Sequence, residues 1–365
     1  MAQDTVSASI ACLCGQVSQQ IVLSASHINQ LSFCHCDSCR STSGVLCTSY
    51  LALHSPPSFS SPRLKQYAQS AHVSRWFCGI CGAHVFAHCR EEGQDRYLVA
   101  TGLLTTAAAF EPETRSVSHW GVRDTQDGGL SRFLSGSATN KVAAATCLLQ
   151  QHPHITKDAE SKSKPSVTAS LTVDDANLLH ARCHCGGVAF SITRPNDQSR
   201  AASSPWSDLL VPFHLASSAN SDDVKWWLCA ENTKYLAGAC ACKSCRLASG
   251  FPIQTWTFVS KINLINNATA EMDGEGFSYE TGTLQRYQSS PEIYREFCRI
   301  CGATVFWHCD WRPGVVDVSV GMLRARSGAR AEDWLEWVTG RVSFAEDALD
   351  KPLIALLEKG LRESV

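Results

Sequence analysis

Apolar positions along this chain come in short, β-leaning runs. CTSYLAL (47–53), HVFAHC (84–89) and RYLVATGLL (96–104) lie in the first part; IQTWTFVS (253–260), TVFWHC (304–309) and VVDVSVGML (315–323) lie in the second. Turn-forming residues separate them, so the pattern predicts antiparallel strands. Residues 331–338 and 352–363 space their apolar side chains by three and four, which predicts short helices there. The expected fold class is mainly β.

The runs recur. LKQYAQSAHVSRWFCGICGAHVFAHC (64–89) aligns without a gap with LQRYQSSPEIYREFCRICGATVFWHC (284–309). Upstream, CHCDSCRSTSG (34–44) matches CACKSCRLASG (240–250), and CLCGQV (12–17) matches CHCGGV (183–188). A repeat of this kind defines architecture before any single element does. The second copy carries extra residues near 196–235 and 261–282; both stretches are polar and read as surface loops. The polar stretch KDAESKSKPSVTAS lacks apolar periodicity and reads as a linker. The expected division is a first domain at 1–135, a linker at 136–175 and a second domain at 176–365.

Composition adds little beyond this. A hydrophobic content of 44 % and a net charge of −2 over 365 residues suit a soluble globular protein, with no broad basic field for nucleic acid or an anionic membrane. The first residues lack a secretory signal pattern, and no run approaches the roughly 18 apolar residues of a membrane span. A cytoplasmic protein is expected, with a nuclear one also compatible. In that reducing setting the 19 cysteines imply metal binding or thiol chemistry rather than disulfides.

Zinc bound by thiolates needs sulfurs at about 2.3 Å in a tetrahedron, and CxxC followed by Gly suits that geometry. Cys78 with Cys81, and Cys298 with Cys301, carry the pattern. In CxC both side chains share one face but need a bend to meet one ion, which Gly15 and Gly186 can supply. This assigns Cys12, Cys14, Cys78 and Cys81 to one closed zinc, and Cys183, Cys185, Cys298 and Cys301 to its equivalent. Such closed sites are structural. Cys34, Cys36 and Cys39, repeated as Cys240, Cys242 and Cys245, offer only three thiolates. Three ligands and a vacancy is the usual catalytic arrangement, where an added thiol could be activated toward an aldehyde. Alternatively Cys89 and Cys309, or His88 and His308, close the tetrahedron. The expected total is two zincs per domain and four per chain.

Seven cysteines in order, twice, with flanking Gly, Arg and Phe, resemble the glutathione-dependent formaldehyde-activating enzyme family, which includes the centromere protein V type of domain. The resemblance implies a small Mss4-like zinc fold. It also implies carbon–sulfur lyase activity, with glutathione or a similar small thiol and an aldehyde as partners and no membrane. His35 matches the family pattern, where Ala241 stands in the second copy; it either serves the reaction, leaving the second site impaired, or is an outward-facing residue. Arg40 and Arg246 could hold a glutathione carboxylate, or hydrogen-bond backbone and offset thiolate charge. Cys47, Cys147 and Cys229 lack counterparts and read as incidental thiols, and Trp76, Trp120, Trp256, Trp307 and Trp337 read as core. The competing function is a non-catalytic tandem zinc module binding protein or nucleic acid, the latter weakened by the near-neutral charge. A third is thiol-based redox or metal buffering.

Overall fold

A computed structural model describes residues 5–28, 30–91, 94–106, 116–134, 141–142, 177–266 and 277–364. The expected linker falls outside the described residues except for 141–142, and so do Cys147, His152 and His154.

The architecture is mainly β, and matched motifs occupy matched strands. The sheet of the first copy runs, in spatial order, Lys141–Val142, Ser116–Trp120, Gln30–Cys34, Thr48–Ala52, Gln94–Ala100, His84–Glu91, Val73–Cys78 and Leu64–Ala68. That of the second runs Leu228–Cys229, Lys234–Cys240, Gln254–Ser260, Val315–Ser319, Thr304–Cys309, Ile293–Cys298 and Leu284–Ser290. In both copies the strand that ends in the CxC motif has a parallel neighbour, Ser116–Trp120 in one and Leu335–Trp337 in the other. The strands from Thr48 to Ala100 and from Gln254 to Ser319 pair antiparallel. The CxCG motif forms the turn of a separate hairpin, Thr5–Ala11 with Ser18–Ser24 in the first copy and Leu178–Arg182 with Ala189–Thr193 in the second.

One of the two expected helices forms. Lys351–Arg362 is helical, buries Leu353, Ile354, Leu357 and Leu361 along one face, and starts where the Asp350 carboxylate accepts from the Leu353 N–H at 3.1 Å. Residues 331–338 are not helical. Tyr235 to Ala237 pair with Leu335 to Trp337 as parallel strands, so the backbone of this stretch is committed to a sheet. The inserted segments are more than surface loops. Residues 196–235 bury Leu209, Trp226 and Trp227 in a cluster with Leu236, Phe258 and Val315. The segment after 261 adds the strand Leu264–Asn266 to Ala189–Thr193.

The two copies pack through matched surfaces. A Cβ on Gly82 would lie 2.6 Å from the Phe297 ring, and one on Gly302 would lie 2.7 Å from the Phe77 ring. Gly102 N donates to Gly250 O at 2.9 Å while Gly321 N donates to Gly44 O at 3.1 Å. Reciprocal contacts of this kind are the mark of a twofold interface, here between two copies in one chain. The hydrophobic core crosses it: Phe33, Leu130 and Phe133 cluster with Phe306, Val318 and Leu357.

Candidate metal centres

Each CxCG motif turns back on itself. Gly15 and Gly186 adopt φ of +73° and +76°, and the turn lets Val17 N–H donate to Cys12 Sγ and Val188 N–H to Cys183 Sγ, both at 3.3 Å. The CxxC motif closes the hairpin between Val73–Cys78 and His84–Glu91, and its equivalent that between Ile293–Cys298 and Thr304–Cys309. The fold brings these distant pairs together. Cys12, Cys14, Cys78 and Cys81 form one group and Cys183, Cys185, Cys298 and Cys301 another, with the sulfurs of each within 4.8 Å of one another.

These donor sets fit a tetrahedral ion. Zinc–sulfur bonds of about 2.3 Å place tetrahedral sulfurs about 3.8 Å apart. The sulfurs of Cys12 and Cys14 stand 3.5 Å apart, Cys14 and Cys78 3.6 Å, Cys183 and Cys185 3.4 Å, and Cys185 and Cys298 3.5 Å. Hydrogen bonds from Cys78 and Cys81 hold the Cys12 thiol well below the ordinary thiol range, and those from Cys183 and Cys185 do the same for Cys298. Thr283 Oγ1 lies 3.0 Å from Cys298 Sγ.

The middle motif ends a strand and opens a short helix, Asp37–Ser43 in the first copy and Lys243–Ser249 in the second. Cys36 and Cys242 sit at the N-caps, where their sulfurs accept from Cys39 N–H at 3.4 Å and Cys245 N–H at 3.2 Å. A thiolate is favoured there by the unpaired N–H groups of the first turn. Hydrogen bonds from Cys240 and Cys245, with the positive charge of Arg295, pull the Cys242 thiol well below its usual range. Cys34, Cys36 and Cys39 gather as a group of three, and so do Cys240, Cys242 and Cys245.

Among the described residues the sulfurs gathered within 4.8 Å of one another number three in each of these groups. His88 Nε2 lies 2.8 Å from Asp95 Oδ1, and its ring stacks on Tyr97. His308 Nε2 lies 3.0 Å from Glu296 Oε1, and its ring stacks on Tyr279. Cys89 and Cys309 are buried but stand outside the groups. Burial pushes the Cys309 thiol up to about 11.

His35 is fully buried rather than outward-facing. Its Nε2 lies 3.0 Å from His119 Nδ1 on the adjacent parallel strand. Burial, with His119 and Arg40 nearby, drives its pKa well below the imidazole range, so the ring is neutral. Arg40 spans the first motif, donating to His35 O at 3.1 Å, Asp124 O at 3.3 Å and Asp37 Oδ1 at 3.3 Å. Arg246 crosses to the other copy and donates to Gly102 O and, at 3.0 Å, to Leu104 O.

The guanidiniums that face the sulfurs are Arg75 and Arg295, which reading by motif passed over. Arg75 Nη2 lies 3.0 Å from Cys39 Sγ, and Nη1 of Arg295 lies 3.7 Å from Cys245 Sγ. Both are buried. They occupy equivalent positions in the gapless repeat, SRWFC and YREFC, and that shared arginine was the available signal.

Residues 7–120 and 228–337 each match the family of the glutathione-dependent formaldehyde-activating enzyme. The chain belongs to that family. The second matched segment starts after Cys183 and Cys185, yet the fold brings these two to Cys298 and Cys301 as the repeat in the sequence predicts. No curated protein and no solved structure gives a significant match to the chain. Among the described residues no helix is long and apolar enough to cross a membrane.

The family's repeated motif is set differently in the two copies. Cys34, Cys36 and Cys39 belong to the continuous core of the first copy. Cys240, Cys242 and Cys245 form a small separate cluster with Trp256, with Trp307 and Phe344 packed against it. A cavity of about 560 Å³ opens onto this second group. That volume lies within the range of small-molecule sites, roughly 300–1,000 Å³.

Proposed function

We propose that the chain is a zinc-dependent carbon–sulfur lyase that joins or cleaves a small thiol, of which glutathione is the family's example, and a small aldehyde. The observation that carries this reading is a group of four sulfurs and a group of three in each copy, with a ligand-sized cavity meeting the second copy's three. Zinc bound by these three cysteines would favour the deprotonated form of an added thiol and polarise a carbonyl.

The rest falls to the chain. In the forward direction the thiol sulfur bonds to the carbonyl carbon and the thiol proton ends on the carbonyl oxygen; the reverse breaks the same carbon–sulfur bond. Cys240, Cys242 and Cys245 hold the centre, and Arg295 offsets the charge of three sulfurs in a site that buries them. Trp256, Trp307 and Phe344 exclude water from one side. The groups of four join the CxCG turn to the distant hairpin and support the fold. Cytoplasmic location and the absence of a nucleic-acid partner belong to the same proposal.

For the first copy a purely structural group of three is the second reading, carried by its place in the continuous core and by Arg75 against Cys39. Mutating one cysteine per group tests the scheme. Cys242→Ser is expected to lower thiol–aldehyde turnover at least tenfold with the fold intact. Cys81→Ser is expected to lower the unfolding midpoint, since it opens a closed site. Cys36→Ser reports how much turnover the first copy supplies. Equal loss of folding in Cys242→Ser and Cys81→Ser, read by circular dichroism, would count against the division of labour.

A further inference from the structure

Resting on the reading of Cys240, Cys242 and Cys245 as the reaction centre, we infer that its thiol or thioether carries an aromatic or flat apolar body, selected by a wall from the inserted segment 196–235. The first copy has no counterpart of this segment between its CxCG and CxCxxC motifs. Trp206, Leu209 and Phe213 from the segment line the cavity. Phe213 packs edge-on against Phe344, ring centroids 5.6 Å apart, and Trp256, Trp307 and Phe344 line the same cavity and pack on the cysteines themselves. Rigid aromatic walls bury a flat ligand at low entropic cost, and offset or edge-on ring pairs add to the area buried.

Charge argues the same way. Glutathione brings two carboxylates and one ammonium, a net negative charge, and the basic groups lining the cavity are Lys243, Arg295 and Arg312. Arg312 is paired with Asp317 and lies over the Trp307 ring, 5.0 Å from its centroid. Arg295 is committed to Ser244 Oγ at 3.1 Å and to Cys245 Sγ. Lys243 then remains for two carboxylates, and Asp347 adds negative charge to the same lining. An anionic peptide finds little complement here, whereas an uncharged ring meets a lining of tryptophan and phenylalanine.

The test uses the zinc-loaded full chain, with binding read from intrinsic tryptophan fluorescence. Benzyl mercaptan, 2-hydroxyethanethiol and glutathione are the probes. Benzyl mercaptan is expected to bind at least tenfold tighter than either of the others. Phe213→Ala and Trp206→Ala are each expected to shrink that preference three- to tenfold. Phe213 is 44 % exposed, so its variant should fold, and zinc content and the melting midpoint verify this. Glutathione binding as tightly as benzyl mercaptan, or both variants weakening all three thiols equally, overturns the inference. If the aromatic preference is absent but Cys242→Ser abolishes thiol binding, this inference falls and the lyase reading stands. Thiol binding that survives both Cys242→Ser and Cys36→Ser sinks the two together.

Discussion

His84 shows how much one side chain can carry between the copies. Its Nε2 donates to Thr42 O at 3.1 Å, and its ring lies 5.9 Å from that of Phe251 in the second copy. Burial, aided by the charge of Arg75, lowers its pKa from 6.5 to about 3. The unfolded chain therefore takes up a proton between those values that the folded chain refuses. The stability this neutral ring contributes is complete above pH 6.5 and is lost as pH falls toward about 3. Each such proton is worth about 1.4 kcal/mol per pH unit within the window. His119, lowered to about 4 by burial, acts in the same sense. His84→Gln keeps a donor for Thr42 and removes the titration. Urea unfolding with excess zinc is expected to lose stability less steeply below about pH 6, by on the order of 1 kcal/mol per pH unit. An acid slope unchanged from the parent would refute the assignment.

Among elements, the short helix Asp37–Ser43 does two jobs. Its N-cap sulfur faces the metal group, and its end, Gly44, meets the other copy. Gly44 has φ +82°, and a Cβ there would lie 2.0 Å from Thr304 O. The equivalent Gly250 meets His84 O in the same way. Gly15 provides the contrast, with φ +73° but nothing within 4 Å of an added Cβ. Gly15→Ala is expected to cost about 1 kcal/mol, the left-handed penalty alone. Gly44→Ala adds a backbone clash and is expected to cost at least about 3 kcal/mol. Chemical denaturation of the two variants checks this; equal costs would show that the copies do not press on each other at Gly44.

At the scale of the molecule the two copies share one core, and the last helix makes the sharing literal. A Cβ on Gly360, in Lys351–Arg362, would lie 2.0 Å from Phe133 O of the first copy. Cutting the chain between residues 143 and 176, by an engineered protease site, is expected to leave the fragments together on size exclusion. Separation into two species would mean that the matched contacts do not hold them. Metal should act on the same unit. Full loading is expected to give four zincs per chain by elemental analysis, and chelation is expected to lower the melting midpoint of the whole, since closed thiolate sites contribute folding energy directly. A chelated chain that melts at the parent temperature would rule this out.

The cysteine groups were legible in the chain because their spacing is local and the duplication prints it twice, so the sets that the fold gathers could be sorted from the motifs. Strand content was legible for a similar reason, being a property of short runs. Residues 331–338 misled because apolar spacing cannot report a partner strand about a hundred residues away, and pairing with Lys234–Cys240 outweighed it. The inserted segment 196–235 read as surface because its average is polar, yet Leu209, Trp226 and Trp227 suffice to anchor it. What tertiary structure alone decided is which groups face the sulfurs: Arg75 and Arg295, on strands distant in sequence, and in the second copy a wall of tryptophan and phenylalanine. Which cysteines group together follows from the motifs along the chain. The surroundings of a metal centre follow from long-range packing, which motif spacing does not encode.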